Sequence, residues 1–169
     1  MMIGIISDTH DNVANVKKAA TIFKDKSCDV VFHCGDIVAP ATVLFFKGVN
    51  MRFVKGNCDG DITLIRKRAE EIKGLFCGDI CELEKGNKNI AAYHGHDPAR
   101  LGEIINSGKF DYVFTGHTHE KLDEMVGNTR VINPGAHYYG SSGTIAVLDE
   151  KDDKLEFIEV NDIGATDGR

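Results

Sequence analysis

A chain of 169 residues, 42% apolar and 27% charged, is long enough to bury a substantial core within one domain and has ordinary globular composition. Its formal net charge of -6 argues against non-specific binding along a nucleic-acid backbone, although a local cationic site for one phosphate group stays open. No apolar run approaches the ~20 residues of a membrane span, and the opening residues 1–7 show neither a basic leader nor a cleavage site, so the expectation is a cytoplasmic protein with no membrane partner.

Short β-branched runs alternate with amphipathic stretches, the rhythm of β-α-β units. Residues 1–6 read as a buried strand. Asn12 caps a helix to about Lys26, whose apolar face is Val13, Val16, Ala20 and Phe23. A strand over 29–34, a helix over 41–47, a strand over 51–54 and a helix over 63–73 follow. Arg66-Lys67-Arg68, the one tight basic cluster, falls on the solvated face of that last helix. Strands over 80–84 and 89–93 flank a turn at Lys85-Gly86-Asn87. Pro98 opens a helix to about Ser107, and 112–115 is a further strand. After Glu120 the segments 122–126, 129–133, 144–149 and 154–160 are all strand-like, which predicts a more antiparallel sheet in the second half. One domain over 1–161 is expected, followed by a mobile tail over 162–169.

Five cysteines without a secretion signal point to a reducing compartment. Cys77 and Cys81 lack a second pair at zinc-ribbon spacing and read as packed thiols, as do Cys28 and Cys34.

Five of the predicted strands end in polar clusters: Asp8-Thr9-His10, Asp36, Asn57-Cys58-Asp59, His94-Gly95-His96 and His117-Thr118-His119. The carboxyl edge of an α/β sheet is where ligands collect, and chance would scatter these residues over helices and both sheet edges. In extended backbone, residues i and i+2 point the same way, so Asp8 with His10, and His117 with His119, are expected to present paired donors. Gly35, Gly56, Gly95 and Gly116 allow tight turns beside them. Imidazoles with carboxylates suit Mn, Fe, Co, Ni or Zn better than Ca or Mg. Two Asp, four His and one Asn exceed the needs of one tetrahedral zinc. They suit two ions ~3.5–4 Å apart bridged by a carboxylate, the arrangement that clamps attacking and departing oxygens in phosphoryl chemistry.

At these residues the sequence resembles the calcineurin-like metallophosphoesterases, and within them the small archaeal and bacterial phosphodiesterases of the YfcE type. The ordered set D-x-H, G-D, G-N-x-D, H-G-H, G-H-T-H carries the likeness, which runs from Asp8 through Asn133-Pro134-Gly135. The resemblance implies a four-layer α/β/β/α sandwich, with a parallel or mixed sheet from the first half. It implies that Asp8, His10 and His119 bind one ion, that Asp36 bridges, and that Asn57, His94 and His117 complete the second ion's shell. The choice of His94 over His96 also comes from the family. One departure is visible: many relatives read G-N-H-D, with that histidine thought to protonate the leaving group, whereas Cys58 stands there in this chain. A thiol of ordinary pKa, about 8.5, is a poor proton donor to an alkoxide at neutral pH, which leaves His96 or a metal-bound water to substitute, or else a substrate whose leaving group needs no proton.

Blander readings apply to other residues. His33 lies inside a strand run and is expected to be a hydrogen-bonded core histidine. His137 is expected in a loop, either at the surface or reaching the site. Asn133-Pro134-Gly135 is most simply a turn, although the family places it beside the metals. Asp59 is expected to orient Asn57 or its neighbours.

The expected activity is a binuclear metal-dependent phosphodiesterase acting on a small diester, with two Mn or Ni ions and with Fe, Co or Zn acceptable. A hydroxide bridging the ions would attack phosphorus in line, and Asp36, Asn57 and His96 are the expected catalytic residues. The family resemblance also suggests a homodimer. The rival is a VPS29-like protein-interaction scaffold with little activity. All seven donors are present here, which argues against it. A nuclease acting on long polymers is disfavoured by the charge. A cyclic nucleotide, a small organic diester and a nucleotide derivative all stay open as substrate.

Overall fold

The computed structural model describes residues 1–138 and 143–160, so the tail expected over 162–169 lies outside the described residues. In chain order the elements are β1 (Met2–Ile6), α1 (Val13–Asp25), β2 (Val30–His33), a 3-10 helix (Pro40–Phe46), β3 (Met51–Val54), α2 (Ile62–Glu71) and β4 (Leu75–Gly78). Then come β5 (Ile80–Lys85), β6 (Lys88–Tyr93), α3 (Pro98–Asn106), β7 (Tyr112–Phe114), β8 (Lys121–Val126), β9 (Thr129–Pro134), β10 (Thr144–Asp149) and β11 (Lys154–Glu159).

Two sheets are stacked. One has the order β11-β10-β1-β2-β3-β4, with β1 to β4 parallel and β10 antiparallel to β1; the other has the order β5-β6-β7-β9-β8. Strand alternation sorts the core into layers. Ile3, Ile5, Phe32 and Val54 point inward against Ile90, Ala92, Phe114 and Ile132 of the second sheet. Their neighbours Val31, Met51 and Phe53 point outward and pack under Val16, Phe23 and Ile65 of the helices. On the far side Ala91 and Val113 meet Leu101, Ile104 and Ile105 of α3. The result is the α/β/β/α order of layers. Phe32 and Phe114 meet edge-on in the central layer, with ring centroids 5.3 Å apart and both fully buried. Truncating either to alanine would cost about 3–5 kcal/mol.

The helix ends follow local rules. Asn12 caps α1 by accepting the amide of Asn15, Asp61 caps α2 through Leu64, and Asp97 caps α3 through Ala99 and Arg100. Arg68 pairs with Glu71 on the exposed face of α2, as expected of a solvated basic stretch.

Four expectations need correction. The short helix of the second crossover is 3-10 and begins at Pro40, whose fixed φ suits a first turn. A fourth parallel strand, β4, was not expected. The strands after Glu120 do pair mostly antiparallel, in β8–β9, β10–β1 and β10–β11, but they divide between the sheets, and β9 lies parallel to β7. Cys77 and Cys81 are joined as a disulfide instead of standing as separate thiols. No helix among the described residues is long and apolar enough to cross a membrane.

Candidate metal centre

The parallel register sets the site. β1 and β2 run level from Ile3↔Val30 to Ile6↔His33, and β6 and β7 from Ile90↔Tyr112 to Ala92↔Phe114. The loops after β1, β2, β3, β6 and β7 therefore emerge at one end of the sandwich. They interlock there: Asp8 N donates to Gly35 O, His10 N to Asp36 O, Gly116 N to His94 O, and His117 N to Asp8 Oδ2.

The side chains converge from both sheets. Ligand atoms of Asp8, His10 and His119 lie within 4.8 Å of one another, as do those of Asp8, Asp36 and His94. Individual contacts run from His119 Nε2 to Asp8 Oδ1 (3.3 Å), His94 Nε2 to Asp36 Oδ1 (3.4 Å) and His10 Nε2 to Asp36 Oδ2 (3.6 Å). Asn57 Oδ1 accepts from His94 Nε2 at 3.0 Å. His117 sits edge-on to His94, with ring centroids 5.2 Å apart. His96 is exposed, with its ring 5.7 Å from that of His94, at the rim. All seven expected donors are thus gathered at one end of the molecule, and His96 stands beside them.

The expected geometry of the paired donors needs correction. Asp8, His10, Asp36, His117 and His119 all have positive φ, between 40° and 67°. Their pairs are not presented by extended alternation; each loop folds back on itself through left-handed residues. Asp and His tolerate that region better than most side chains, yet it costs energy and persists only where surrounding contacts enforce it. Two glycines make the close approach feasible. A Cβ on Gly116 would meet Ser7 Oγ and Asp8 Oδ2, and one on Gly56 would meet Asp36 Oδ1.

The electrostatics describe a cage that wants positive charge. Asp8 and Asp36 are both buried. Burial pushes the Asp8 carboxyl above its ordinary range, more than the opposing hydrogen bonds and nearby histidines pull it down. Burial also acts on Asp36, but hydrogen bonds from His94 and from the Cys58 amide outweigh it and hold that carboxyl well below the usual range. His94 is the counterpart. Burial favours its neutral form, but Asp36 overcomes this and raises its pKa. His94 Nδ1 lies 2.7 Å from Cys34 O, and since a carbonyl only accepts, Nδ1 carries a proton and Nε2 is turned toward Asp36. In the protonated ring Nε2–H also donates to Asn57, so a proton stands where a cation would. The buried atoms Asp8 Oδ1 and His10 Nε2 accept or donate no hydrogen bond. Buried polar atoms left without partners are costly, and a divalent ion between them would satisfy both. The donor set therefore fits divalent metal.

Several supports escaped the sequence reading. Asn133 belongs to the end of β9 and is more than a turn residue: its Nδ2 donates to Gly116 O and Thr118 Oγ1, pinning the His117–His119 loop. Asp11 Oδ1 accepts from Ala39 N and Thr42 Oγ1. Asp59 did not escape it: expected to orient Asn57 or its neighbours, it accepts the amides of Ile37, Val38 and Gly56, tying the Asp36 loop to the Asn57 loop. His33 is a core histidine bonded to Thr9 Oγ1 at 3.1 Å, as expected. His137 is neither at the surface nor in the cage. It is fully buried, with its amide on Asp8 O and its carbonyl accepting from Asn12 Nδ2.

A two-sheet sandwich whose strand-end loops hold such a cage defines a metallophosphoesterase, and residues 1–153 match the calcineurin-like phosphoesterase superfamily domain; the chain belongs to that superfamily. It is similar to Phosphodiesterase MJ0936 of Methanocaldococcus jannaschii, with 36% identity over 165 residues, 95% of this chain and 98% of that one. Among solved structures it is similar to an archaeal phosphodiesterase at 35% identity and a TM-score of 0.87, covering 94% of this chain and 99% of that chain. It also shares its fold with Yfce, a phosphoesterase from E. coli, at 16% identity and a TM-score of 0.68, over 95% and 100% of the two chains.

Proposed function

We propose that this chain is a binuclear metal-dependent phosphodiesterase that hydrolyses a small phosphodiester. The observation that carries the reading is the buried trio Asp8, Asp36 and His94, flanked by His10 and His119, in which Asp8 Oδ1 and His10 Nε2 lack hydrogen bonds. The nearly full-length likeness to a phosphodiesterase supports the reaction class.

In this reading Asp8, His10 and His119 hold one divalent ion, Asn57, His94 and His117 hold another, and Asp36 is shared between them. Mn or Ni is the favoured ion, and Fe, Co or Zn fits the same donors. When bound, the pair supplies Lewis acidity, lowering the pKa of water for attack on phosphorus and offsetting charge on the phosphate oxygens. The chain does the positioning. The proton on His94 Nδ1, fixed by Cys34 O, aims Nε2 into the cage, and Asp59 and Asn133 hold the loops in register. His96 stands exposed at the rim, where it can donate to the phosphate oxygens, and Asn57, with Oδ1 turned to the cage, can donate to them through Nδ2 by leaving Cys58 Sγ. Burial and the neighbouring charge of His94 lower the pKa of His96, so it acts near neutral pH as a neutral N–H donor. One domain over 1–161 and a homodimer belong to the same reading.

The test is Asp36→Ala. This variant is expected to lose both metal uptake by the chelator-stripped protein and turnover of a chromogenic diester on addition of Mn or Ni. Near-normal hydrolysis by the variant would defeat the assignment.

A further inference from the structure

With seven donors assigned, one soft side chain at the centre is left over. Cys58 Sγ, a ring nitrogen of His10 and a carboxylate oxygen of Asp36 all lie within 4.8 Å of one another. The Cys58 amide donates to Asp36 Oδ1 at 2.8 Å, which holds its backbone against the shared carboxylate. Asn57 Nδ2 donates to Cys58 Sγ at 3.3 Å, so a sulfur lone pair already serves as an acceptor on the side of the cage. The residue is exposed and can turn its side chain without disturbing the core.

One further atom points to a cation at the same place. His10 Nε2 is buried, makes no hydrogen bond, and lies 3.6 Å from Asp36 Oδ2. His10 is also shared with the adjoining trio of Asp8 and His119, in which Asp8 is 0% exposed and its Oδ1 accepts no hydrogen bond.

We infer that Cys58 Sγ is a further metal donor, acting with His10 and Asp36, and that it raises the affinity of the centre for thiophilic divalent ions such as Zn, Co and Cd, relative to Mn, above what the seven other donors would give alone. The inference rests on the metal-binding reading above. Imidazole and carboxylate oxygen alone discriminate weakly among borderline ions, whereas one thiolate adds a soft ligand that Mn uses poorly. In the binding step the S–H bond breaks, a sulfur–metal bond forms and the proton passes to solvent. No other cysteine can do this: Cys34 is fully buried, Cys28 packs at the helix-side core, and Cys77 and Cys81 are joined to each other. The thiol that replaces a histidine in the G-N-C-D motif thereby becomes a determinant of metal preference.

The experiment loads the chelator-stripped full chain with Co(II), counts bound cobalt by equilibrium dialysis and records the absorption spectrum. Wild type is expected to show a near-ultraviolet sulfur-to-cobalt charge-transfer band that Cys58→Ser lacks, while at saturating metal both bind equal cobalt. In competition, Cys58→Ser is expected to lose about tenfold or more in affinity for Cd(II) relative to Mn(II). Bound Cd(II) is also expected to protect Cys58 of the wild type from iodoacetamide. Identical ultraviolet spectra at equal cobalt loading, or alkylation as fast with Cd(II) as without, would overturn the inference and leave the seven-donor centre standing. Failure of both proteins to take up cobalt would sink the metal-binding reading and this inference with it.

Discussion

The amide of His117 donates to Asp8 Oδ2 at 3.0 Å, joining residues 109 apart in the chain and from different sheets. This bond fixes one carboxylate oxygen of Asp8 and leaves Oδ1 turned to the cage. It forms only because Gly116 lets the two loops touch; a Cβ there would collide with Ser7 Oγ and Asp8 Oδ2. Gly116→Ala is therefore expected to displace the β7 loop. Overpacking of this kind costs about 1–3 kcal/mol. Thermal denaturation and Mn dialysis would show a lower Tm and lost metal uptake, and unchanged uptake would count against the role given to this contact.

Asp59 performs the equivalent task between the loops after β2 and β3. Its carboxylate accepts Ile37 N at 2.7 Å, Val38 N at 2.9 Å and Gly56 N at 2.7 Å. Val38, a β-branched residue, is held at φ 77°, a conformation that needs such restraint. Asp59→Ala is expected to cost about 2–3 kcal/mol, read by urea unfolding, and to weaken metal binding at Asp36 without removing a ligand. Asp59→Asn, which keeps an acceptor in place, should lose less of both. Equal losses in the two variants would mean that charge, and not loop geometry, is what Asp59 contributes.

The carboxyl-edge clustering of Asp8, Asp36, Asn57, His94 and His117 was legible because apolar β-branched runs mark strands and parallel strands end on one side. The layer order was legible only through the family resemblance. Local pattern was silent on three matters. β4 is a four-residue run flanked by glycines, Leu75 to Gly78, too short to stand out. Whether β10 joins the first or the second sheet is decided by its pairing with β1, a contact across more than 130 residues. The left-handed backbone at five of the seven donors comes from loop interlocking, and no single-residue preference announces it. Asn133 was visible in sequence, but its grip on Gly116 and Thr118 depends on β9 lying beside β7.

Two fully buried histidines give the metal-free protein a defined acid response. Burial depresses His33 to about 3 and His137 to about 4, against an ordinary value near 6.5. Below pH 6.5 the unfolded chain binds protons that the folded chain refuses, so stability is full above that value and falls with pH. Each group contributes a slope of about 1.4 kcal/mol per pH unit while it stays neutral in the fold, with a smaller share from exposed His96. Asp36, with its depressed pKa, adds its loss only below about pH 4, whereas Asp8, with its raised pKa, takes up its proton in the fold before it would in the unfolded chain and so offsets part of the decline. His94, with its raised pKa, acts above the window. Urea unfolding between pH 6.5 and 4.5 should show this decline, and His33→Gln should remove about half of the slope. A flat profile in wild type would show that neither ring is held neutral by the fold.

His94 links metal uptake to protons. Its Nδ1 proton is committed to Cys34 O, and Asp36 raises its pKa, so below the folded pKa Nε2 also carries a proton, which points at Asn57. An ion can use the Nε2 lone pair only after that proton leaves. Metal affinity is therefore expected to rise with pH across neutrality, and binding should release protons. Titration calorimetry with Mn in two buffers of different ionisation enthalpy would measure the release, which should decrease as pH rises above the folded pKa of His94. His94→Gln keeps a polar side chain but has no titrating nitrogen; it should bind the metal more weakly and lose the pH-dependent part of the release. Buffer-independent heats in the wild type at pH 6.5 would mean that the cage takes up metal with Nε2 already bare, and the proton assigned to it would have to be withdrawn.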